Sequence, residues 1–247
     1  MILANLGQPI NASAHGAEVD NMMLILHIFM LVLFVGWAVF FGYCLIRFRK
    51  SKQPTANYLG VQKHTSSYLE AGVAIFEAVL LIGFSVPLWA NRVQPPKEEL
   101  QNPFIVHVIA QQFAWNIHYP GADGKWGRRD AKQIGASNAI GLDRNGPDAK
   151  DDIVSFNELH IPVNRPVIIH LTTKDVVHSF FLPEMRIKQD VIPGMSIPVW
   201  FTPIKTGQWE IACAQLCGNS HYSMKGYIYV DTPQDFDQWL KEQLENQ

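Results

Sequence analysis

Between Ile211 and Tyr227 the sequence reads "IACAQLCGNSHYSMKGY", which gathers Cys213, Cys217, His221 and Met224 into one short stretch. Thiolate, imidazole and thioether together favour copper. Zinc is the nearest alternative, but it usually takes Cys and His alone, and methionine is a poor ligand for it. A Cys213–Cys217 disulfide would close so short a loop that it would constrain little of the unfolded chain. It would also leave His221 and Met224 without a role. A mononuclear blue copper site uses one Cys, two His and an axial Met, whereas this loop brings two Cys. A further imidazole must come from elsewhere in the fold. "KDVVHSFFLP" offers His178 at the end of an alternating run, with His107, His118, His160 and His170 as competitors in other strand-like runs. Two thiolates, two imidazoles, a thioether and a carbonyl can serve two coppers. If both sulfurs bridge, the pair can share one electron with little change in any bond. Such a centre suits an electron relay and leaves no open position for a substrate.

The elements that must hold these groups differ along the chain. Met22 to Ile46 contains no Asp, Glu, Lys or Arg, and about 20 apolar residues span a bilayer core. A signal peptide would have a basic start and a shorter apolar core; here the leader carries Glu18 and Asp20, and the basic cluster "RFRKSK" follows the run. A second apolar run, Ala71 to Ala90, carries Glu77 and Pro87. Between the runs lie Arg47, Arg49, Lys50, Lys52 and Lys63 with no acidic residue among them, the bias of a short cytoplasmic loop. The expectation is a transmembrane hairpin in the lipid bilayer with both chain ends on the outer side.

After "VQPPKEEL" come short alternating stretches rich in β-branched and aromatic residues, such as "NELHIPVNRPVIIHLTT" and "GYIYVDTP". They read as strands of an antiparallel sandwich or barrel. Gly121 to Asp152 lacks apolar periodicity and reads as an inserted loop. Its acids Asp143, Asp148, Asp151 and Asp152 read as a solvated cluster, with a cation site as the sharper alternative. Thr232 and Asp235 form a capping box for a closing helix, with Phe236, Trp239 and Leu240 on one face. The formal charge of −2 over 247 residues gives no sign of a nucleic-acid partner.

The string "CAQLCGNSHYSMKGY", with "DVVHSF" upstream and "KQDVIPGM" between, resembles the dinuclear copper domain of cytochrome c oxidase subunit II. The resemblance covers nearly the whole chain. It implies a transmembrane hairpin followed by an all-β cupredoxin-like Greek-key sandwich or barrel and a C-terminal helix. The expected domains are an outer segment 1–20, the hairpin 21–92, the periplasmic copper domain 93–231 with its insertion at 121–152, and the helix 232–247. It implies that Cys213 and Cys217 bridge the coppers, that His178 and Met224 complete one metal, and that His221 and the Gln215 backbone carbonyl complete the other. It implies a bacterial inner-membrane location and electron flow from cytochrome c, or a membrane-bound c-type donor, to haem a and the haem a3–copper B site of subunit I. Other oxidase subunits complete that assembly. The haems and the oxygen chemistry belong to the partner, so no catalytic site is expected in this chain alone.

Several positions depart from the family pattern. The usual Glu between the cysteines, which helps hold Mg²⁺, is Gln215. The family's Gln-Trp-x-Trp patch reads Gln112-Phe113-Ala114-Trp115, which leaves Phe113 and Trp115 as candidates for electron entry. The resemblance also points to Glu70 for proton uptake, against a reading as a carboxylate favoured by a helix N-terminus. Glu77, within the second span, is expected to face subunit I. A haem c motif Cys-x-x-Cys-His is absent from these residues. The main alternative is a membrane-anchored copper chaperone of thioredoxin fold, in which the cysteine motif opens a helix. The subunit II of quinol oxidases lacks these ligands, and nitrous oxide reductase lacks the hairpin.

Overall fold

The computed structural model describes residues 7–56, 58–60, 62–93 and 101–245. They fall into two compact units: Glu18–Arg92, and a second made of Gly7–Ala17 with the residues from Val93 onward. The Pro-Pro segment expected between them, at 94–100, lies outside the described residues.

In the first unit α1 (Gly16–Arg47) is apolar around its whole circumference. α2 (Thr65–Leu80) runs through one π-helical turn, Leu81–Ser85, into α3 (Val86–Val93). Pro87 accounts for the widened turn. It has no N–H, and its ring would collide with a carbonyl one turn back in a regular helix. Ser85 Oγ donates to Leu80 O at 3.3 Å, giving that carbonyl a partner where the ladder is disturbed. Both helical stretches, Gly16–Arg47 and Thr65–Val93, are long and apolar enough to cross a membrane. Phe29 of α1 meets Phe76 of α2 at 4.6 Å between ring centres.

The second unit is a β-sandwich. One sheet has the order β3 (Ile153–Phe156), β2 (Ala114–Tyr119), β1 (Phe104–Gln111), β5 (Val167–Thr173), β8 (Ile197–Phe201). The other has the order β4 (Glu158–Pro162), β10 (Lys225–Asp231), β9 (Gly207–Cys213), β6 (His178–Leu182), β7 (Ile187–Val191). In β5, Val167, Ile169 and Leu171 are buried while the residues between them are half-buried, the period-two pattern of a strand with one face in a core. The core also takes Val106, Val108, Ile117, Leu159, Ile161 and Phe180.

The sheets are mixed, not purely antiparallel as the strand spacing suggested. β1 runs parallel to β5 and β10 parallel to β4. The chain changes sheets between β3 and β4 and again between β4 and β5, so these strands lie beside partners distant in sequence. Asn157 makes the first crossing in the left-handed region, at φ 61°, which Asn tolerates better than most residues. Its Oδ1 accepts from Trp115 N at 2.8 Å and its carbonyl accepts from Tyr227 N at 2.7 Å, which ties the two sheets together. A Cβ at Gly226 would stand 2.8 Å from that carbonyl, so the crossing needs glycine there.

The insertion between β2 and β3 is packed against the sandwich. Ile140, Leu142 and Ala149 form a small second core with Ile109. Asp152, expected in a solvated cluster, is fully buried and faces His118 Nε2 at 2.6 Å. It also accepts from Gly127 N at 2.8 Å. Asp148 instead approaches Lys125 at the surface, so the acidic residues do not converge on a cation. At the other end, Asp235 N donates to Thr232 Oγ1 at 3.2 Å and caps α4 (Pro233–Glu245). Phe236 and Trp239 of that helix pack on the core, and Trp239 stacks on His160 at 4.2 Å. Gly7–Ala17 joins this unit through Ala12 N to Glu184 O and Ala14 N to Thr202 O, at 2.9 and 3.0 Å.

Candidate metal centre

β9 ends at Cys213 and β6 begins at His178. Their antiparallel pairing sets Cys213 opposite Phe180, so the register brings His178 beside the first cysteine. Ala214 N donates to Ser179 O at 3.0 Å, and Cys213 N to Met224 O at 3.3 Å. The loop from β9 to β10 is therefore anchored at both ends on neighbouring strands. A short 3₁₀ turn, His221–Ser223, returns it to Met224.

Around this loop Cys213 Sγ lies 3.8 Å from Cys217 Sγ and 3.3 Å from the Gln215 carbonyl. His178 Nδ1 is 3.9 Å from Cys213 Sγ; His221 Nδ1 and Met224 Sδ are 3.6 and 3.8 Å from Cys217 Sγ. The ligand atoms of His178, Cys213 and Cys217 all lie within 4.8 Å of one another, the one such group among the described residues. A thiolate–metal bond in a tetrahedral site is about 2.3 Å, so two thiolates sharing one ion stand about 3.8 Å apart. The observed sulfur separation has that value. It is far too long for a disulfide, and both cysteines are free. His178, Cys217 and Met224 are buried, while Gln215 and Leu216 are exposed.

The remaining histidines stay apart from this group. His118, His107 and His170 stand side by side across β2, β1 and β5. His160 is held by Asp231 at 2.8 Å and stacked between Tyr229 and Trp239.

Asp175 holds the outer side of the site. Its Oδ1 is 2.8 Å from His178 Nε2 and also accepts from Val176 N at 2.7 Å. Its Oδ2 accepts from Gln112 N at 2.7 Å. Partial burial works against this carboxylate, but these donors, His178 foremost, hold its pKa below the usual range. Burial likewise opposes charge on Cys213. Hydrogen bonds from His178 and the loop backbone outweigh it and bring that thiol down to about 6. Burial and the neighbouring Cys213 push Cys217 up. Burial opposes charge on His178 too, but Cys213 and Asp175 raise its pKa. A metal ligand must be deprotonated, so metal binding at these groups is coupled to proton release.

Gln112 makes a second support. Its Nε2 donates to Cys217 O at 2.5 Å. Gly218 sits beneath it at φ 138°, where a Cβ would meet Gln112 Nε2 at 2.7 Å and the Phe113 ring at 3.0 Å. Phe113 is therefore in contact with the loop and half-exposed. Trp115 is fully buried, 6.2 Å from His178 and 5.4 Å from Phe180 between ring centres. An external partner can touch Phe113 but not Trp115. Sequence reasoning does not reach Asp175, although its place three residues before His178 is a usable signal: a metal-bound imidazole commonly donates its other N–H to a carboxylate. Glu70 lies past the first turn of α2, which holds no acidic residue. The helix-terminus role for it weakens accordingly, since that effect fades within the first turn.

Residues 105–231 match the family model described as "Cytochrome C oxidase subunit II, periplasmic domain". The alternative cytochrome c oxidase subunit 2 of Bradyrhizobium diazoefficiens is 35% identical over 85% of this chain and 74% of its own length. The chain belongs to the cytochrome c oxidase subunit II family. Cytochrome c oxidase subunit 2 of Synechocystis sp. is 33% identical over 58% of this chain, which spans only 34% of that protein. Among solved structures, the periplasmic domain of subunit II of cytochrome oxidase from Bradyrhizobium japonicum is 25% identical, with a TM-score of 0.42 over 58% of this chain and 94% of that one. Membership of the subunit II family makes the chain part of a haem-copper oxidoreductase complex and implies copper binding; a His178–Cys213–Cys217 cluster able to hold a metal is present.

Proposed function

We propose that this subunit II is the electron-entry subunit of its oxidase, taking electrons from a c-type cytochrome or similar donor and passing them to haem in subunit I. The observation that carries the reading is the 3.8 Å separation of Cys213 Sγ and Cys217 Sγ, flanked by His178, His221, Met224 and the Gln215 carbonyl. This donor set fits two coppers bridged by both thiolates. When bound, the pair supplies one-electron storage and release with little change in bond lengths. Cys213 and Cys217 would bridge, His178 and Met224 would complete one metal, and His221 and the Gln215 carbonyl the other.

The protein's part is to hold these groups still. Asp175 fixes the His178 ring with Nδ1 toward the sulfurs. Gln112 fixes the Cys217 carbonyl, and the paired ends of β9 and β10 fix the loop. Burial of Cys217 and Met224 would keep water from a metal held there. Phe113, in contact with Gly218 and reachable from outside, is the residue we assign to electron entry. The exposed Gln215–Leu216 corner would face subunit I. There an amide in place of a carboxylate weakens or removes Mg²⁺ binding, because a neutral oxygen is a poorer ligand for a hard cation. Subunit I would also cover Glu77 and receive protons by way of Glu70.

The packing of Gly7–Ala17 on the sandwich supports a topology with the segment before α1 on the same side as the copper domain. With the basic loop in the cytoplasm, that side is the periplasm of a bacterial inner membrane. The copper-chaperone alternative is disfavoured: Cys213 closes a strand of a β-sandwich, and no helix opens at the cysteines.

Stopped-flow mixing of the assembled oxidase with a reduced c-type cytochrome tests the reading. Near-infrared absorption of the copper centre should respond before haem a is reduced. Haem reduction that precedes any copper response would overturn it.

A further inference from the structure

We infer that the groove between the inserted segment and the ends of β1 and β5 is a docking site for an acidic surface of the electron donor, an assignment that rests on the electron-entry function proposed above. The groove holds about 530 Å³ and is open along one side. Arg129, Ile134 and Ile140 of the insertion form one wall, with Ile109, Thr173 and Lys174 of the sheet opposite. A shallow trough of mixed aliphatic and polar lining with two cations suits a protruding acidic loop better than an enclosed small molecule.

Neither cation of the groove makes an ion pair among the described residues, although Asp175 lies close enough to Lys174 to favour its charged form. Arg129 has no carboxylate partner among the described residues. Lys174 Nζ donates one hydrogen to Ala139 O at 2.5 Å and keeps others free. The two nearest acids in sequence are both committed elsewhere. Asp175 faces His178 and the backbone N–H groups of Gln112 and Val176. Asp130 Oδ1 accepts from Lys132 N at 2.9 Å. Arg129 is exposed and Lys174 half-buried, so both cations can be reached from outside. An acidic side chain arriving there can pair with either.

The position of the groove links it to the metal centre. Thr173 Oγ1 lies 3.2 Å from Asp175 Oδ1, and that oxygen lies 2.8 Å from His178 Nε2. Thr173 in the groove wall is therefore two hydrogen bonds from a proposed copper ligand. The inserted segment supplies half of the site, which gives the insertion a recognition role.

Charge at the edge of an interface acts mainly on association rate and its salt dependence. The test uses the assembled oxidase with Arg129→Glu, and Arg129→Gln as a milder variant, assayed with one acidic and one basic c-type cytochrome. At about 20 mM ionic strength, where charges are felt beyond 10 Å, the KM for the acidic donor should rise about tenfold or more in Arg129→Glu. It should rise less in Arg129→Gln and return toward the parent value as salt is added. The maximal rate and the copper spectrum should stay unchanged, and the basic donor's KM should hold or fall. An unchanged KM for the acidic donor, or an equal rise for both donors, overturns the docking site and leaves the electron-entry reading intact. Failure of both donors to reduce the copper of the unmodified oxidase overturns both proposals.

Discussion

Asp175 Oδ1 stands 2.8 Å from His178 Nε2, on the opposite side of the imidazole from Cys213. The carboxylate thereby decides which ring nitrogen is offered to a metal. Removing such a partner typically costs 10–100-fold in metal affinity. Asp175→Ala should lower copper affinity by about that factor, while Asp175→Asn, which keeps an acceptor for Nε2–H, should lose less. Competition against a copper chelator reads both. Equal affinities in parent and Asp175→Ala would show that the loop alone orients His178.

Gly218→Ala is expected to damage the site from the backbone. The new methyl would meet Gln112 Nε2 at 2.7 Å and the Phe113 ring at 3.0 Å, at φ 138°. A non-glycine residue held there costs about 1–3 kcal/mol. The variant should bind less copper and show a lower Tm both with and without it. Copper content and Tm equal to the parent's would mean that the loop can shift freely.

The chain's chemistry is legible in its sequence where the ligands are local. Cys213, Cys217, His221 and Met224 share one loop, and soft donors at such spacing have few uses. The membrane hairpin is equally legible, because an uncharged apolar run as long as Met22 to Ile46 matches the thickness of a bilayer core. Parallel pairing of β1 with β5 is not, since strand spacing says nothing of which strands become neighbours after a change of sheet. Gln112 is hidden for a related reason: its bond to Cys217 O joins residues 105 apart in sequence. Asp152 looks like a loop acid until His118, 34 residues earlier, is found beside it.

His107 gives the domain an acid sensitivity. Burial first, then Arg129, His118 and His170, lower its pKa to about 3. It stacks on Trp126 of the insertion at 3.7 Å. Folded His107 therefore stays neutral between about pH 6.5 and 3, while the unfolded chain takes up a proton. Unfolding binds more protons in that window, so stability falls as pH drops below about 6.5. The ring is partly exposed, and allowing for screening its share is on the order of 1 kcal/mol by about pH 4.5. Denaturant titrations of the full chain in detergent should show His107→Phe losing less stability between about pH 7.5 and 4.5 than the parent. An identical pH slope in both would show that His107 contributes nothing to the acid sensitivity.

Gln215→Glu should leave the copper spectrum as it is, because the backbone carbonyl, 3.3 Å from Cys213 Sγ, is unaffected by the side chain. The added charge should raise Mg²⁺ or Mn²⁺ occupancy at the exposed Gln215 corner, which is proposed to face subunit I. Mn²⁺ EPR of the assembled oxidase measures it. Full occupancy before the change, with Gln215 as a ligand, would show that charge does not decide binding.

The most direct test of the central claim is the EPR spectrum of the copper-loaded full chain together with its copper content. Bridging by Cys213 and Cys217 predicts hyperfine coupling spread equally over two copper nuclei and two coppers per chain. Cys217→Ser should abolish that pattern, since a hard hydroxyl cannot replace a bridging thiolate, while the β-sandwich remains folded by circular dichroism. A pattern from a single copper, one copper per chain, or a shared pattern that survives Cys217→Ser would contradict the dinuclear centre.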